Sequence, residues 1–279
     1  MKSSVLPNNG MHLIPKAWRL LAQVTPDVKQ KMNPMNNYLS IDRIEWDVPI
    51  YRFTLVDYLL RLIDKRENTL VSPRKWKDPF EDILSKFKFR KANGELYKHP
   101  FRDRVYGQCW TKIEETDAAW RMYIPNGNGV RLKTTINKLY QSLVNAKETS
   151  YVETHCYIGR VEYKTEDELR AWFNDKKWVQ DHLLNIGCPK QAESLLFKRT
   201  EFEPEQEIRL IYLEPHNKGD DDFYHYEVDP SVVIDEITFD PRMEDSLYET
   251  YLSIVHKLGF SGEVNKSKLY QIPFFEISI

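Results

Sequence analysis

The stretch Lys198-Arg199-Thr200-Glu201-Phe202-Glu203-Pro204-Glu205-Gln206-Glu207-Ile208-Arg209 runs straight into Leu210-Ile211-Tyr212-Leu213. The branched and aromatic run that closes it reads as a β-strand. Successive side chains on a strand point to opposite faces, so Glu205, Glu207 and Arg209 are expected on one face. Charges on an apolar strand need partners, because burying them unpaired is costly. Either they neutralise one another or they serve a site. Downstream, Gly219-Asp220-Asp221-Asp222 reads as a turn, and strands are expected at residues 223–228 and 231–239. These strands follow one another with no helix between them. That order predicts an α+β fold, a mixed and largely antiparallel sheet flanked by helices, rather than a doubly wound one.

Upstream, residues 1–47 differ in character from the rest and are expected to form an N-terminal extension packed on a single main domain spanning 48–279. The extension holds an amphipathic helix candidate at 16–24, with Pro15 at its start, and a loop at 29–37. The main domain opens with a strand at 49–53. Thr54 and Asp57 are placed as a capping box for a helix that carries Leu55, Leu59, Leu62 and Ile63. Strands are predicted at 69–72, 105–110 and 130–134, and helices at 114–123 and 136–145. Thr165 and Glu168 form a second capping box, for a helix with Leu169, Trp172, Phe173, Lys176, Val179, Leu183 and Ile186 on one face and Gly187 at its end. A last helix follows Asp240-Pro241, with Leu247, Tyr251, Ile254 and Leu258 as its buried stripe and Gly259 as its stop.

The composition suffices for a sizeable core, with 41% hydrophobic and 13% aromatic residues in 279. A net charge of −2 argues against nucleic-acid binding by the whole surface and leaves only a local basic patch open. No apolar run approaches membrane-spanning length and the first residues lack the apolar core of a signal peptide, so a cytoplasmic location is expected. Cys109, Cys156 and Cys188 are odd in number and scattered, which fits free thiols better than a disulfide framework. The chain has no Walker-type phosphate loop, no dinucleotide glycine fingerprint, no nucleophile elbow and no cysteine or histidine pair at zinc spacing.

Several short segments, in order, resemble one bacterial family of unknown function, the domain-of-unknown-function family 2971. They begin with Tyr51-Arg52-Phe53-Thr54, Leu70-Val71-Ser72-Pro73 and Asp78-Pro79-Phe80-Glu81. Gln108-Cys109-Trp110, Glu115, Trp120, Tyr123 and residues 129–135 are similar to its central block. Lys198-Arg199, Phe202, Glu205, Glu207 and Arg209 are similar to its late block, and Ser267-Lys268-Leu269-Tyr270 to its closing strand. The resemblance spans residues 49–273 and implies an architecture more securely than a reaction, since the family has no settled activity. A stress or phage-defence effector is the biology it suggests.

Three functions are compatible with these residues. Arg52, Thr134-Thr135 and Glu205-x-Glu207 follow the order of mono-ADP-ribosyltransferases of the Arg-Ser-Glu type. In that reading NAD is the substrate, and Arg52 holds its diphosphate. Trp110 or Tyr123 stacks on nicotinamide, and Glu205 and Glu207 are catalytic. Ser72, Lys198 and Arg209 complete the binding set, and the transfer target is a macromolecule of unknown kind. Thr-Thr in place of Ser-Thr-Ser, and Arg209 beside the pair, depart from that pattern. The second function is magnesium-dependent phosphodiester cleavage through Asp78, Glu81, Glu205 and Glu207. The third is a non-catalytic ligand- or partner-binding module whose charges form an ion-pair network, with Arg52 pairing Glu207.

Overall fold

A computed structural model of the chain describes residues 37–76, 78, 81, 88–90, 94–98, 104–147, 155–184, 189–214 and 221–273. The helix expected at 16–24, the Gly187 stop and Cys188 lie outside the described residues. Fourteen strands are present among the described residues. The first seven are β1 (Tyr38–Leu39), β2 (Pro49–Leu55), β3 (Glu67–Val71), β4 (Lys88–Arg90), β5 (Leu96–Lys98), β6 (Val105–Thr111) and β7 (Gly129–Thr135). The remainder are β8 (Cys156–Arg160), β9 (Glu162–Lys164), β10 (Phe197–Arg199), β11 (Glu207–Leu213), β12 (Phe223–Glu227), β13 (Glu236–Phe239) and β14 (Glu263–Lys266).

The main sheet has the order β1-β8-β11-β6-β2-β7-β13-β14, and β3 joins β6 and carries β12 on its other edge. Its pairings are antiparallel except for β1 with β8 and β13 with β14. The fold is therefore α+β with a mixed, mostly antiparallel sheet. Strand β6 is shared along one edge: Thr111 pairs with Tyr51 of β2, and Gly107 pairs with Val71 of β3.

Among the described residues, five longer helices flank the sheet: α1 (Val56–Lys65), α2 (Asp117–Tyr123), α3 (Ile136–Asn145), α4 (Glu166–Asn174) and α5 (Asp245–Lys257). One sheet face carries Ile50, Trp110, Leu132, Ile208, Leu210, Ile237 and Phe239, packed with Leu59, Ile63, Leu139, Leu143 and Val255 of the helices in the larger core. A smaller core on the other face joins Val105, Tyr157, Ile211 and Leu213 to Ala192, Leu195 and Leu196. Among the described residues, no helix is long and apolar enough to cross a membrane.

Local expectations fare unequally. Helix α3 spans the expected residues, and its cap is Thr135, whose Oγ1 accepts from the Lys138 amide. The Thr165–Glu168 capping box forms at the start of α4, but the helix stops at Asn174, where Asp175 starts a new turn. Thr54 is not a cap. It pairs with Val130 inside β2, and Leu55 precedes α1 instead. Of the strand expected at 231–239, only Glu236–Phe239 is strand, because Pro230–Val233 forms a helical turn capped by Asp229.

Candidate functional site

The opening stretch is not one strand. Phe197–Arg199 forms β10, Thr200–Glu205 is a 3-10 helix with Pro204 inside it, and Gln206 adopts the left-handed conformation (φ 42°). Only from Glu207 does the chain become strand. Glu205 and Glu207 therefore do not share a strand face by alternation; their carboxylates meet because the turn folds one back toward the other. Thr111 fixes that turn, its hydroxyl donating to the Glu205 carbonyl (2.6 Å).

Lys198 is the point of convergence. Its Nζ lies 2.8 Å from Glu205 Oε2, 3.0 Å from Glu81 Oε1 and 3.2 Å from Glu207 Oε2. Arg209, fully buried, donates from Nε to Glu207 Oε1 (2.9 Å) and from Nη2 to Glu81 Oε1 (2.5 Å), while Nη1 donates to the Leu195 carbonyl (2.6 Å). The Trp76 ring lies 4.4 Å from the Arg209 guanidinium carbon. Gly107 makes room for that ring, since a Cβ there would come within 2.7 Å of the indole. Asp78 stands nearby and pairs with Arg199 (3.2 Å).

Three carboxylates thus face two cations, and Glu81, Lys198, Glu207 and Arg209 are all buried. Burial works against the charge on Glu207, but Arg209 and Lys198 outweigh it, with a hydrogen bond from the Cys109 thiol, and hold the carboxyl at about 2. Burial also works against Lys198 and Arg209; the glutamates more than offset it and push both upward. The Cys109 thiol is raised well above its ordinary range, first by burial and then by Glu207. The Tyr163 hydroxyl, which accepts from the Glu207 amide (2.9 Å), is pushed up to about 12, chiefly by burial.

The cluster reaches solvent at one edge. The Glu205 side chain is 16% exposed, against 4% for Glu207 and 6% for Glu81. Tyr123, at the end of α2, is 38% exposed and lies close enough to Glu205 to feel its charge. Burial, then the charges of Glu205 and Glu207, raise its phenol pKa. Its ring stacks on Phe53 (5.6 Å, 15°), which meets Trp120 edge-on (4.9 Å).

Of the candidate residues, the structure brings Glu205, Glu207, Tyr123, Lys198 and Arg209 together. Arg52 does not join them. Register aligns Glu207, Thr111, Tyr51 and Lys133 across β11, β6, β2 and β7, so Arg52, one residue on, points to the opposite face. The Arg52–Glu207 pair is not made. Trp110 is buried on the helix-covered side, donating to Gln108 Oε1 (2.8 Å). Thr134 donates to the Val233 carbonyl (2.6 Å), Thr135 caps α3, and Ser72 is buried and accepts from Arg74 Nε (3.3 Å). Cys109, inside a resembling motif, belongs to the cluster although no site role was expected of it, and Glu81, expected as a magnesium ligand, pairs with Lys198 and Arg209 instead. Trp76, Phe53 and Tyr163 reach it only through the tertiary fold. For metal chemistry the arrangement is unfavourable, because the Lys198 ammonium sits where Glu81, Glu205 and Glu207 converge. Among the described residues, no three His, Cys, Asp or Glu side chains are grouped to hold a metal ion.

Residues 119–210 match the family described as "Protein of unknown function (DUF2971)", a block that includes Tyr123, Lys198, Glu205, Glu207 and Arg209. No curated protein matches the chain. Among solved structures it is similar to Thermus sp. 2.9 DarT in complex with carba-NAD+ (TM-score 0.37, 12% identity, covering 80% of this chain and 96% of that one). It is also similar to the same protein in complex with NAD+ (0.37, 11%, 80% and 96%) and with ADP-ribosylated ssDNA (0.38, 12%, 80% and 95%). Likenesses of this degree carry no functional argument.

Proposed function

Starting from a chain that carries this family's block at residues 119–210, we propose an ADP-ribosyltransferase-like enzyme that uses NAD as substrate, with Glu205 as the carboxylate at the reacting centre. The observation that supports it is the edge of the cluster. There a carboxylate fixed by Lys198 borders solvent beside Tyr123, whose ring stacks on Phe53. Nicotinamide would stack on Tyr123. The bond between ribose C1′ and the nicotinamide nitrogen breaks heterolytically, and its electron pair leaves with neutral nicotinamide. The positive charge that develops on the ribosyl group faces Glu205. An acceptor hydroxyl or water adds to C1′ and passes its proton to that carboxylate. Glu207 and Arg209 act as positioning residues, keeping Lys198 and through it Glu205 in place. Arg199, partly exposed beside Lys198 on β10, is the cation that would receive the diphosphate; Arg52, on the other face, is not.

The mutual satisfaction of Glu81, Lys198, Glu207 and Arg209 favours a second reading, a binding cleft without catalysis. Nicotinamide release from NAD separates the two. Wild type is expected to release it, and Glu205→Gln to lower kcat by about 100-fold, the scale for removing one group that stabilises developing charge. Equal turnover by both proteins contradicts the role of Glu205. Saturable NAD binding with no release by wild type selects the binding module.

A further inference from the structure

On the helix-covered face, Arg52 lines a cavity of about 20 Å³ with Leu62, Asn68, Trp110, Val228 and Val233. Among the described residues, its guanidinium makes no ion pair and no hydrogen bond. The groups that act on it electrostatically are Cys109, Tyr58 and Tyr226, and none is a carboxylate. Burial lowers its pKa from the usual arginine value, and no acidic side chain offsets this.

The polar side chains around the cavity are already committed to one another. Asn68 Nδ2 donates to the Tyr226 hydroxyl (2.7 Å), and Asn68 Oδ1 accepts from Gln108 Nε2 (2.7 Å) and from the Thr69 amide (2.9 Å). Gln108 Oε1 accepts from Trp110 Nε1 (2.8 Å), and the Tyr226 hydroxyl also bonds Ser142 Oγ (3.0 Å). Turning any of these acceptors toward Arg52 would break a buried bond, which costs more than the new one returns. A guanidinium has five donors and no acceptor, so what it lacks is negative charge.

We propose that this cavity is an anion site, in which Arg52 binds a halide-sized anion against apolar walls. The volume sets the size, because about 20 Å³ holds one species of water dimensions. Arg52 is partly exposed, which gives the ion a path from solvent. The site lies on the face opposite Glu205 and does not depend on NAD chemistry.

The test is the melting temperature of the full chain at constant ionic strength, with gluconate replaced stepwise by chloride or bromide and with sulfate as an oversized control. Halide is expected to raise it by about 2–4 °C at saturation, gluconate and sulfate to leave it unchanged, and Arg52→Gln to lose the response. If Arg52→Gln does not fold, an anomalous peak beside Arg52 in a bromide-soaked wild-type crystal replaces that arm. A halide response retained in Arg52→Gln, or no halide-specific shift together with no bromide peak, overturns the proposal.

Discussion

At Glu207 burial opposes ionisation, yet Arg209 and Lys198 prevail and set the carboxyl at about 2, below its ordinary 4.5. A depressed folded-state pKa gives a direction. The stability it brings is fully present above about 4.5 and is lost as pH falls toward about 2. The shift corresponds to roughly 3 kcal/mol. Urea unfolding of wild type between pH 5 and 2.5 should therefore lose stability more steeply than that of Glu207→Gln, by an amount of that order. Parallel pH dependences would mean that Glu207 is not held ionised by its neighbours. Arg209→Met is expected to cost about 3–5 kcal/mol, because it leaves Glu207 and Glu81 buried with one cation between them. Thermal or urea unfolding measures it, and a cost near zero would show that the cluster is solvated in solution.

Strand β6 decides which elements can reach the cluster. Gly107 lets Trp76 lie across its face and cover Arg209, and Gly159, opposite Arg209 on β8, leaves space that Leu196 fills. Gly107→Ala puts a methyl 2.7 Å from the Trp76 ring. It should destabilise the protein by about 1–3 kcal/mol and shift Trp76 fluorescence; unchanged stability would mean that Trp76 moves aside freely. Elements set by local chemistry were legible in the sequence. Helix α3 and the Thr165 box are specified by residues three or four apart. The segment before Glu207 was not legible, since two carboxylates at alternate positions look the same on a strand and around a turn. Pro204 was the available signal, being a poor fit to a continuous strand. Thr54 misled for a related reason: a threonine suits both a cap and a strand, and pairing with Val130 decided it.

For the whole molecule, strand order was the missing information. Sequence places Arg52 and Glu207 on strands but not which strand lies between them, and β6 in that position puts them on opposite faces. The cluster itself was half legible. Lys198, Glu205, Glu207 and Arg209 are close in sequence, whereas Glu81 and Cys109 arrive from distant elements. The resulting sheet has a charged face, edged by Glu205 and Tyr123, and a helix-covered face holding Arg52. The most direct measurement is therefore a crystal structure of the chain with a non-hydrolysable NAD analogue. Nicotinamide is expected on the Tyr123 ring, with ribose C1′ facing the Glu205 carboxylate. Density for the analogue against Arg52, with the Glu205 edge empty, would contradict it.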